Sequence, residues 1–336
     1  VAGEALTENE AREIMLRIGQ GEINPSQIAA FLSSYWFNPI QVDELKGFVS
    51  AMLDLAVTVD LSEFDAMDVC GTGGDGKDTF NISTTSSFII VGAGQKIAKH
   101  GNHGVSSSVG SSTVLEFLGL KFNNDPKILK RKMETSGMCF LHAPLFHPAM
   151  RFAATARKEL ATPTVFNILG PMANPAKPQA AAIGVANERM HLVMAQVLGD
   201  RGVDGFVFRG DDGLDEITLA TTTSVLSIGD GTIESDRIEP ADFGLSTAPI
   251  SALVGGDANE NARITRAIFD GERGAPRDAV LLNAAAAIAA YEGDLKSDIH
   301  ERLQTALIRA TDAVDTGKAS ALLNQWATLT QNLASN

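Results

Sequence analysis

The chain has 336 residues, 44% of them hydrophobic and 20% charged, the make-up of an ordinary folded protein too long for one minimal domain. Its 27 lysines and arginines face 41 aspartates and glutamates, and the formal charge of −14 opposes broad contact with nucleic acid or an anionic membrane. No apolar run reaches the ~18–20 residues of a membrane span. The two cysteines, Cys70 and Cys139, have neither metal-type spacing nor a disulfide framework, so a reducing, cytoplasmic setting is expected. An anionic ligand of so acidic a chain must be met locally, by backbone N–H groups, a few cations and a metal ion.

Residues 1–60 show helical periodicity only. The opening is acidic and amphipathic, unlike a signal peptide. Thr7 and Glu10 form a T-x-x-E capping box ahead of Ala11, Ile14, Met15 and Ile18 on one face, and Gly19 and Gly21 end that helix. Asn24-Pro25 opens a second helix with Ile28, Phe31, Leu32 and Tyr35 inward. Asn38-Pro39 is expected to repeat the device before Val42, Leu45, Val49 and Met52.

At Asp65 the pattern changes. Residues 67–70 read as a strand, 83–91 as a helix, 96–99 as a second strand, and a helix begins near Ser111. Further strands are expected at 138–141, 181–185, 205–209 and 224–228, with helices at 127–135 and 188–198 among those between them. The alternation predicts an α/β fold with a largely parallel central sheet. Residues 258–330 read as helical, with the alanine-rich stretch 284–291 buried. No internal repeat is present.

Chemistry concentrates at the expected strand ends. Gly71-Thr72-Gly73-Gly74-Asp75-Gly76, then Thr79 and Asn81-Ile82-Ser83-Thr84, allows close backbone approach to a ligand and presents N–H groups and hydroxyls at a helix start. Taken alone, these glycines equally suit a plain strand-to-helix turn. Lys99-His100-Gly101-Asn102-His103-Gly104, followed by Ser106, Ser107, Ser108 and Ser111, places a cation, imidazoles, an amide and hydroxyls at another strand end. Asp211-Asp212-Gly213-Leu214-Asp215-Glu216 offers carboxylates suited to Mg²⁺, or simply a solvated acidic turn. His147-Pro148-Ala149-Met150 through Arg157, and the proline-rich stretch 164–175, could wall the phosphate loops, with Arg157 open to a carboxylate.

Seven motifs in one order, GTGGDG, NIST, KHGN, GSS-x-VLE, HPAM, FN-x-LGP-x-x-NPA and DGLDE, resemble the anthranilate phosphoribosyltransferase family over nearly the whole chain. The resemblance implies transfer of the phosphoribosyl group of 5-phosphoribosyl 1-diphosphate (PRPP) to the anthranilate amine, with release of diphosphate, in tryptophan biosynthesis. It implies a small helical domain (1–64, joined by about 147–177), a large α/β domain (65–146 and 178–336) and a homodimer through the helical domains. Gly71, Gly74, Asp75, Thr79, Asn81, Ile82, Ser83, Thr84, Lys99, Ser107 and Ser111 would hold PRPP. Ser83, Asp215 and Glu216 would be linked to Mg²⁺. Asn102, Arg157 and Pro171 would meet anthranilate beside His100, with Lys99, His100, Asn102 and Arg157 closest to the chemistry. The family's usual arginine after KHGN is His103 here, and its usual acidic residue within GSADVLE is Thr113. A pyrimidine nucleoside phosphorylase of similar fold fits the KHGN, NPA and DGLDE set poorly. A non-catalytic, nucleic-acid-binding paralogue is opposed by the charge and the intact carboxylates.

Overall fold

The computed structural model describes residues 3–102, 109–293 and 297–334. Helices α1 (Glu8–Gly19), α2 (Pro25–Ser34) and α3 (Val42–Asp54) come first. The capping box at Thr7 and the N-cap at Asn24 with Pro25 after it form as the sequence predicts, and Gln27 completes a box at Asn24 that the sequence reading did not include. The third start differs: Gln41, not Asn38-Pro39, precedes the helix. Asn38 Nδ2 instead donates back to the Ser34 carbonyl at 3.2 Å. The Glu44 carboxylate accepts from the N–H groups of Gln41 (2.8 Å) and Leu6 (3.1 Å) and from the Tyr35 hydroxyl (3.0 Å). One buried carboxylate thus ties the entry to α1, the end of α2 and the start of α3.

Next come β1 (Met67–Gly71), α4 (Ile82–Gly92), β2 (Ile97–Gly101), α5 (Ser111–Phe117), α6 (Pro126–Ser136) and β3 (Met138–His142). The chain then leaves the sheet through α7 (Ala143–Phe146), α8 (Arg151–Leu160) and α9 (Phe166–Leu169), where Ala153, Ala156, Phe166 and Leu169 pack with Met15, Ile28, Leu32 and Phe48 of the first three helices. It returns as β4 (Ala180–Gly184), α10 (Glu188–Asp200), β5 (Asp204–Gly210), β6 (Thr223–Gly229) and β7 (Thr232–Ile238). It ends in α11 (Ala258–Phe269), α12 (Ala275–Glu292), α13 (Ile299–Asp315) and α14 (Lys318–Ala334).

The seven strands lie in the order β3-β2-β1-β4-β5-β6-β7, parallel through β5 and antiparallel at β6 and β7. The chain winds outward from β1 to β3 on one side and from β4 to β5 on the other. A topological switch therefore falls between β1 and β4, where Gly71 pairs with Gly184, and a crevice opens beyond the carboxyl ends of such strands. Alternation sorts the two faces. Met67, Val69, Phe206 and Phe208 face α4, α12 and α14, while Ala181, Ile183 and Val207 face α10 and the helical module. The alanines from Ala284 to Ala290 are buried in α12, and their small side chains let it lie close on the sheet.

Strand β7 is absent from the sequence reading, because Glu234, Asp236 and Arg237 break the apolar pattern that marks inner strands. Charges on an edge strand block pairing with another chain. The legible signal was Asp230-Gly231, a two-residue hairpin turn with φ of 50° and 72°. Both cysteines are free thiols. Among the described residues no helix is long and apolar enough to cross a membrane.

Lys132 of α6 is buried, with its ammonium on the Lys121 carbonyl at 3.2 Å, and burial pushes it down to about 8. Above that pH the folded chain has released a proton that the unfolded chain keeps up to about 10.4, so the destabilisation from this group fades as pH rises. Lys132→Met is expected to stabilise the fold at pH 7 by on the order of 2 kcal/mol. That advantage should shrink by most of its size towards pH 10 in denaturant melts; a pH-independent difference would contradict the assignment.

Candidate active site

The glycine loop leaves β1 at the switch point, and the Asp215-Glu216 turn after β5 lies directly against it. A Cβ on Gly71 would sit 2.3 Å from Asp215 Oδ2, and one on Gly184 would sit 1.7 Å from the Asp215 carbonyl oxygen. Glycine is required at both strand ends because the carboxylate turn occupies the space. Asp215 Oδ2 accepts the Gly73 N–H at 2.7 Å, and Glu216 Oε1 accepts the Ser83 N–H at the start of α4 at 3.2 Å.

Burial, then the adjacent Asp75 charge, pushes the Asp215 carboxyl up, and burial, then Asp215, raises Glu216 well above its ordinary range. Asp75 Oδ2 is buried with no hydrogen-bond partner. Asp75, Asp215 and Glu216 thus face one cleft of about 220 Å³, which Asp78 also lines. Among the described residues no three His, Cys, Asp or Glu side chains form a metal cage of their own, so this donor set is open and suits an ion that also takes oxygens from a bound molecule. Asp211 and Asp212 do not join it. Asp211 pairs with Arg237 and accepts from Thr222 and Ser224, and Asp212 accepts from Leu214 N–H and the Thr218 hydroxyl to shape the turn.

The same cleft is lined by Gly74, Thr79, Asn81, Ile82, Ser83, Thr84, Lys99, His100, Asn102 and Ser111. Lys99 is 1% exposed, and its ammonium donates to the Val69 carbonyl and reaches Ser83 Oγ at 3.4 Å. The Thr84 hydroxyl is buried without a partner at the N-terminal turn of α4. Asn81 also braces the loops, donating to the Val109 carbonyl (3.1 Å) and accepting from Asn261 of α11 (3.0 Å). Ser111 Oγ donates to the Asn102 carbonyl at 3.3 Å. His103 and Ser107 lie outside the described residues.

A second cleft of about 400 Å³ shares Cys70, Gly71, Thr72, His100, Gly101 and Asn102 with the first, so the two are continuous. Its far wall is Met150, Arg157, Phe166, Gly170 and Pro171. The Arg157 guanidinium stands over the Phe166 ring at 5.2 Å, half-buried, and among the described residues no carboxylate pairs with it. His100 Nδ1 lies 3.0 Å from the Gly170 carbonyl, which makes Nδ1 the protonated nitrogen and Nε2 the acceptor; Nε2 is buried with no partner. Burial lowers His100 to about 4 and His147, edge-on to it at 5.1 Å, to about 3, so both rings are neutral. A larger opening of about 760 Å³ beyond Trp36 and Pro163 meets the expected site at Gly74 and Asp75 and shares Thr72 and Gly73 with the first cleft.

Asp68, in the strand before the glycine loop, and Asn174, in the NPA motif, went unassigned in the sequence. The buried Asp68 carboxylate accepts from Val69 N–H (2.8 Å), His100 N–H (3.1 Å) and Asn174 Nδ2 (2.8 Å), and Asn174 Nδ2 also donates to the Ala98 carbonyl at 2.8 Å. The pair welds the turn carrying Pro171 to the strands carrying Lys99 and His100.

Residues 1–56 match the glycosyl transferase family, helical bundle domain, and residues 63–320 match the glycosyl transferase family, a/b domain. The anthranilate phosphoribosyltransferase of Arthrobacter sp. (strain FB24) is 44% identical over 331 residues, 98% of this chain and 94% of that relative. The chain belongs to the anthranilate phosphoribosyltransferase family. It is a glycosyltransferase of tryptophan biosynthesis with the activity that names the family. The anthranilate phosphoribosyltransferase of Thermus thermophilus has the same fold, with a TM-score of 0.90 at 35% identity over 98% of this chain and 97% of that one. The Saccharomyces cerevisiae anthranilate phosphoribosyltransferase in complex with PRPP and Mg matches with a TM-score of 0.87 at 25% identity, covering 97% and 94%. That protein has also been solved in complex with 4-fluoroanthranilate.

The glycine at the end of β4 gives a direct test of the geometry. Gly184→Ala is expected to shift the Asp215 backbone and cut turnover on the order of a hundredfold while the fold persists, since ~1 Å of misplacement costs about that much. Turnover within about twofold of wild type would show that the carboxylate turn does not act from this position.

Proposed function

We propose that the 220 Å³ cleft takes PRPP with Mg²⁺ and the 400 Å³ cleft takes anthranilate, so that the two reactants meet beside His100 and Asn102. The observation that carries this reading is the convergence of unneutralised carboxyls, a buried lysine and a helix N-terminus on one cleft continuous with a cation-walled second one. The residues present fit a magnesium ion. Asp75, Asp215, Glu216 and Ser83 offer hard oxygen donors, and the orphaned Asp75 Oδ2 lacks a partner that a cation would provide. When bound, Mg²⁺ supplies charge neutralisation for the carboxylates and the diphosphate.

The chain's own groups do the rest. Backbone N–H groups of the glycine loop and of α4 hold the diphosphate, and the Lys99 ammonium stabilises charge as the C1–oxygen bond breaks. Arg157 pairs with the anthranilate carboxylate, and Pro171 with Asn102 confines the ring. The Nε2 lone pair of neutral His100 accepts an N–H of the amine and aims its nitrogen at C1. An aniline nitrogen attacks without prior deprotonation, so no general base is required, and the proton it then sheds passes to the departing diphosphate or to water. Acceleration comes from positioning and electrostatics.

The domain division at residues 64, 147 and 177 belongs to the same reading and is supported by the packing of α8 and α9 on the first three helices. A homodimer through that module is carried over from the family resemblance and a cytoplasmic location from the cysteine usage; sedimentation at working concentration tests the former.

In an assay following anthranilate fluorescence with PRPP and Mg²⁺, Asp215→Asn with Glu216→Gln should leave a folded protein whose turnover collapses. Near-native activity across a Mg²⁺ titration would remove these carboxylates from the metal. Arg157→Ala should raise the anthranilate KM about tenfold or more, the weight of a charge-assisted bond, and leave PRPP binding largely intact. An unchanged anthranilate KM would contradict the placement of the two substrates.

A further inference from the structure

Helix α12 is apolar through its centre, with Val280, Leu281 and Leu282 before Asn283 and four alanines after it, all buried. Asn283 is the exception, 3% exposed in that setting. Its Oδ1 accepts the Ile217 N–H at 2.8 Å, and its Nδ2 donates to the Ile217 carbonyl at 3.0 Å and to the Ala279 carbonyl at 2.9 Å. These partners fix the amide orientation, because turning it over would set donor against donor and acceptor against acceptors. One side chain therefore satisfies both backbone groups of the residue that follows Glu216, outside any strand.

The turn is otherwise closed by bonds within itself or to the next strand: Gly210 N–H to the Leu214 carbonyl, Leu214 N–H to Asp212, and Thr218 N–H to the Thr223 hydroxyl. Those bonds shape its backbone without fixing its distance from β1 and β4; towards the glycine loop and α4 the turn is held at its side-chain tips, where Asp215 accepts from Gly73 N–H and Glu216 from Ser83 N–H. Desolvation and mutual repulsion of Asp75, Asp215 and Glu216 both favour swinging the turn out to water. A tie to a helix locked in the core opposes that motion.

We propose that Asn283 is a positioning residue for the transfer reaction: by pinning Ile217 at both backbone groups, it holds Asp215 and Glu216 against the ends of β1 and β4. The inference rests on the reading that these carboxylates meet a divalent cation.

The test compares Asn283→Ala and the space-filling Asn283→Leu with wild type, using Asp215→Asn/Glu216→Gln as a control. Mn²⁺ binding in the presence of PRPP is read by calorimetry and electron paramagnetic resonance, beside the anthranilate KM and the thermal midpoint. Loss of a group that orients metal ligands costs ~10–100-fold in metal affinity, so the Mn²⁺ constant should weaken by about tenfold or more while the anthranilate KM stays within about twofold. Unchanged Mn²⁺ binding in a folded variant overturns the proposal. So do metal and anthranilate constants that move together, or failure of both variants to fold, which would make Asn283 a stability residue only. If instead the control keeps wild-type Mn²⁺ binding, it is the carboxylate reading that fails.

Discussion

Burial of like charges that the Lys99 ammonium offsets only in part governs this molecule. Asp215 and Glu216 are wedged against two glycine strand ends, with Asp75 beside them, and burial raises both carboxyls of the pair. On the proposed placement of PRPP, a chain of formal charge −14 receives a polyanion in that place. The arrangement is unfavourable for the folded protein alone and becomes favourable when a cation and its phosphate ligands arrive together, because the cation answers both sets of charges. The fold maintains it by fixing the backbone: Asn283 pins the turn from α12, and N–H groups of Gly73 and Ser83 meet the carboxylates.

Each arm of the site is braced by a buried amide or carboxyl from a distant part of the chain. Asn261 holds Asn81, whose own amide holds residue 109, so two loops at neighbouring strand ends keep their spacing. Asp68 and Asn174 join the Pro171 turn to the strands of Lys99 and His100. The wall that carries Arg157 and Phe166 packs on the opening helices, so the second cleft lies between that module and the sheet. Hydrogen bonds of Asp68 with Asn174 and of His100 with the Gly170 carbonyl join it to the first cleft, while the wall beyond packs through helices.

Much of this was legible because it was written in local chemistry. The capping box at Thr7, the Asn24-Pro25 helix start and the glycine clusters at strand ends each have a near-neighbour cause. Asn38-Pro39 misled because the same residues that start helices also close turns, and a glutamine with Glu44 took the cap instead. Edge strand β7 hid behind its charges, although its Asp230-Gly231 turn was readable. Asn261, Asn283 and Asn174 could not be picked out, since their partners lie 180, 66 and 106 residues away and an asparagine carries no local pattern. The division of labour inside Asp211–Glu216, two turn-shaping residues and two facing the cleft, likewise depends on tertiary packing.

The central claim, that the acidic cleft accepts a polyanion only together with a cation, is tested most directly by calorimetric titration of PRPP into the protein, once with Mg²⁺ and once with a chelator. The account predicts that PRPP affinity falls by at least about tenfold without the metal, or about 1.4 kcal/mol. Equal affinity in both titrations would contradict it.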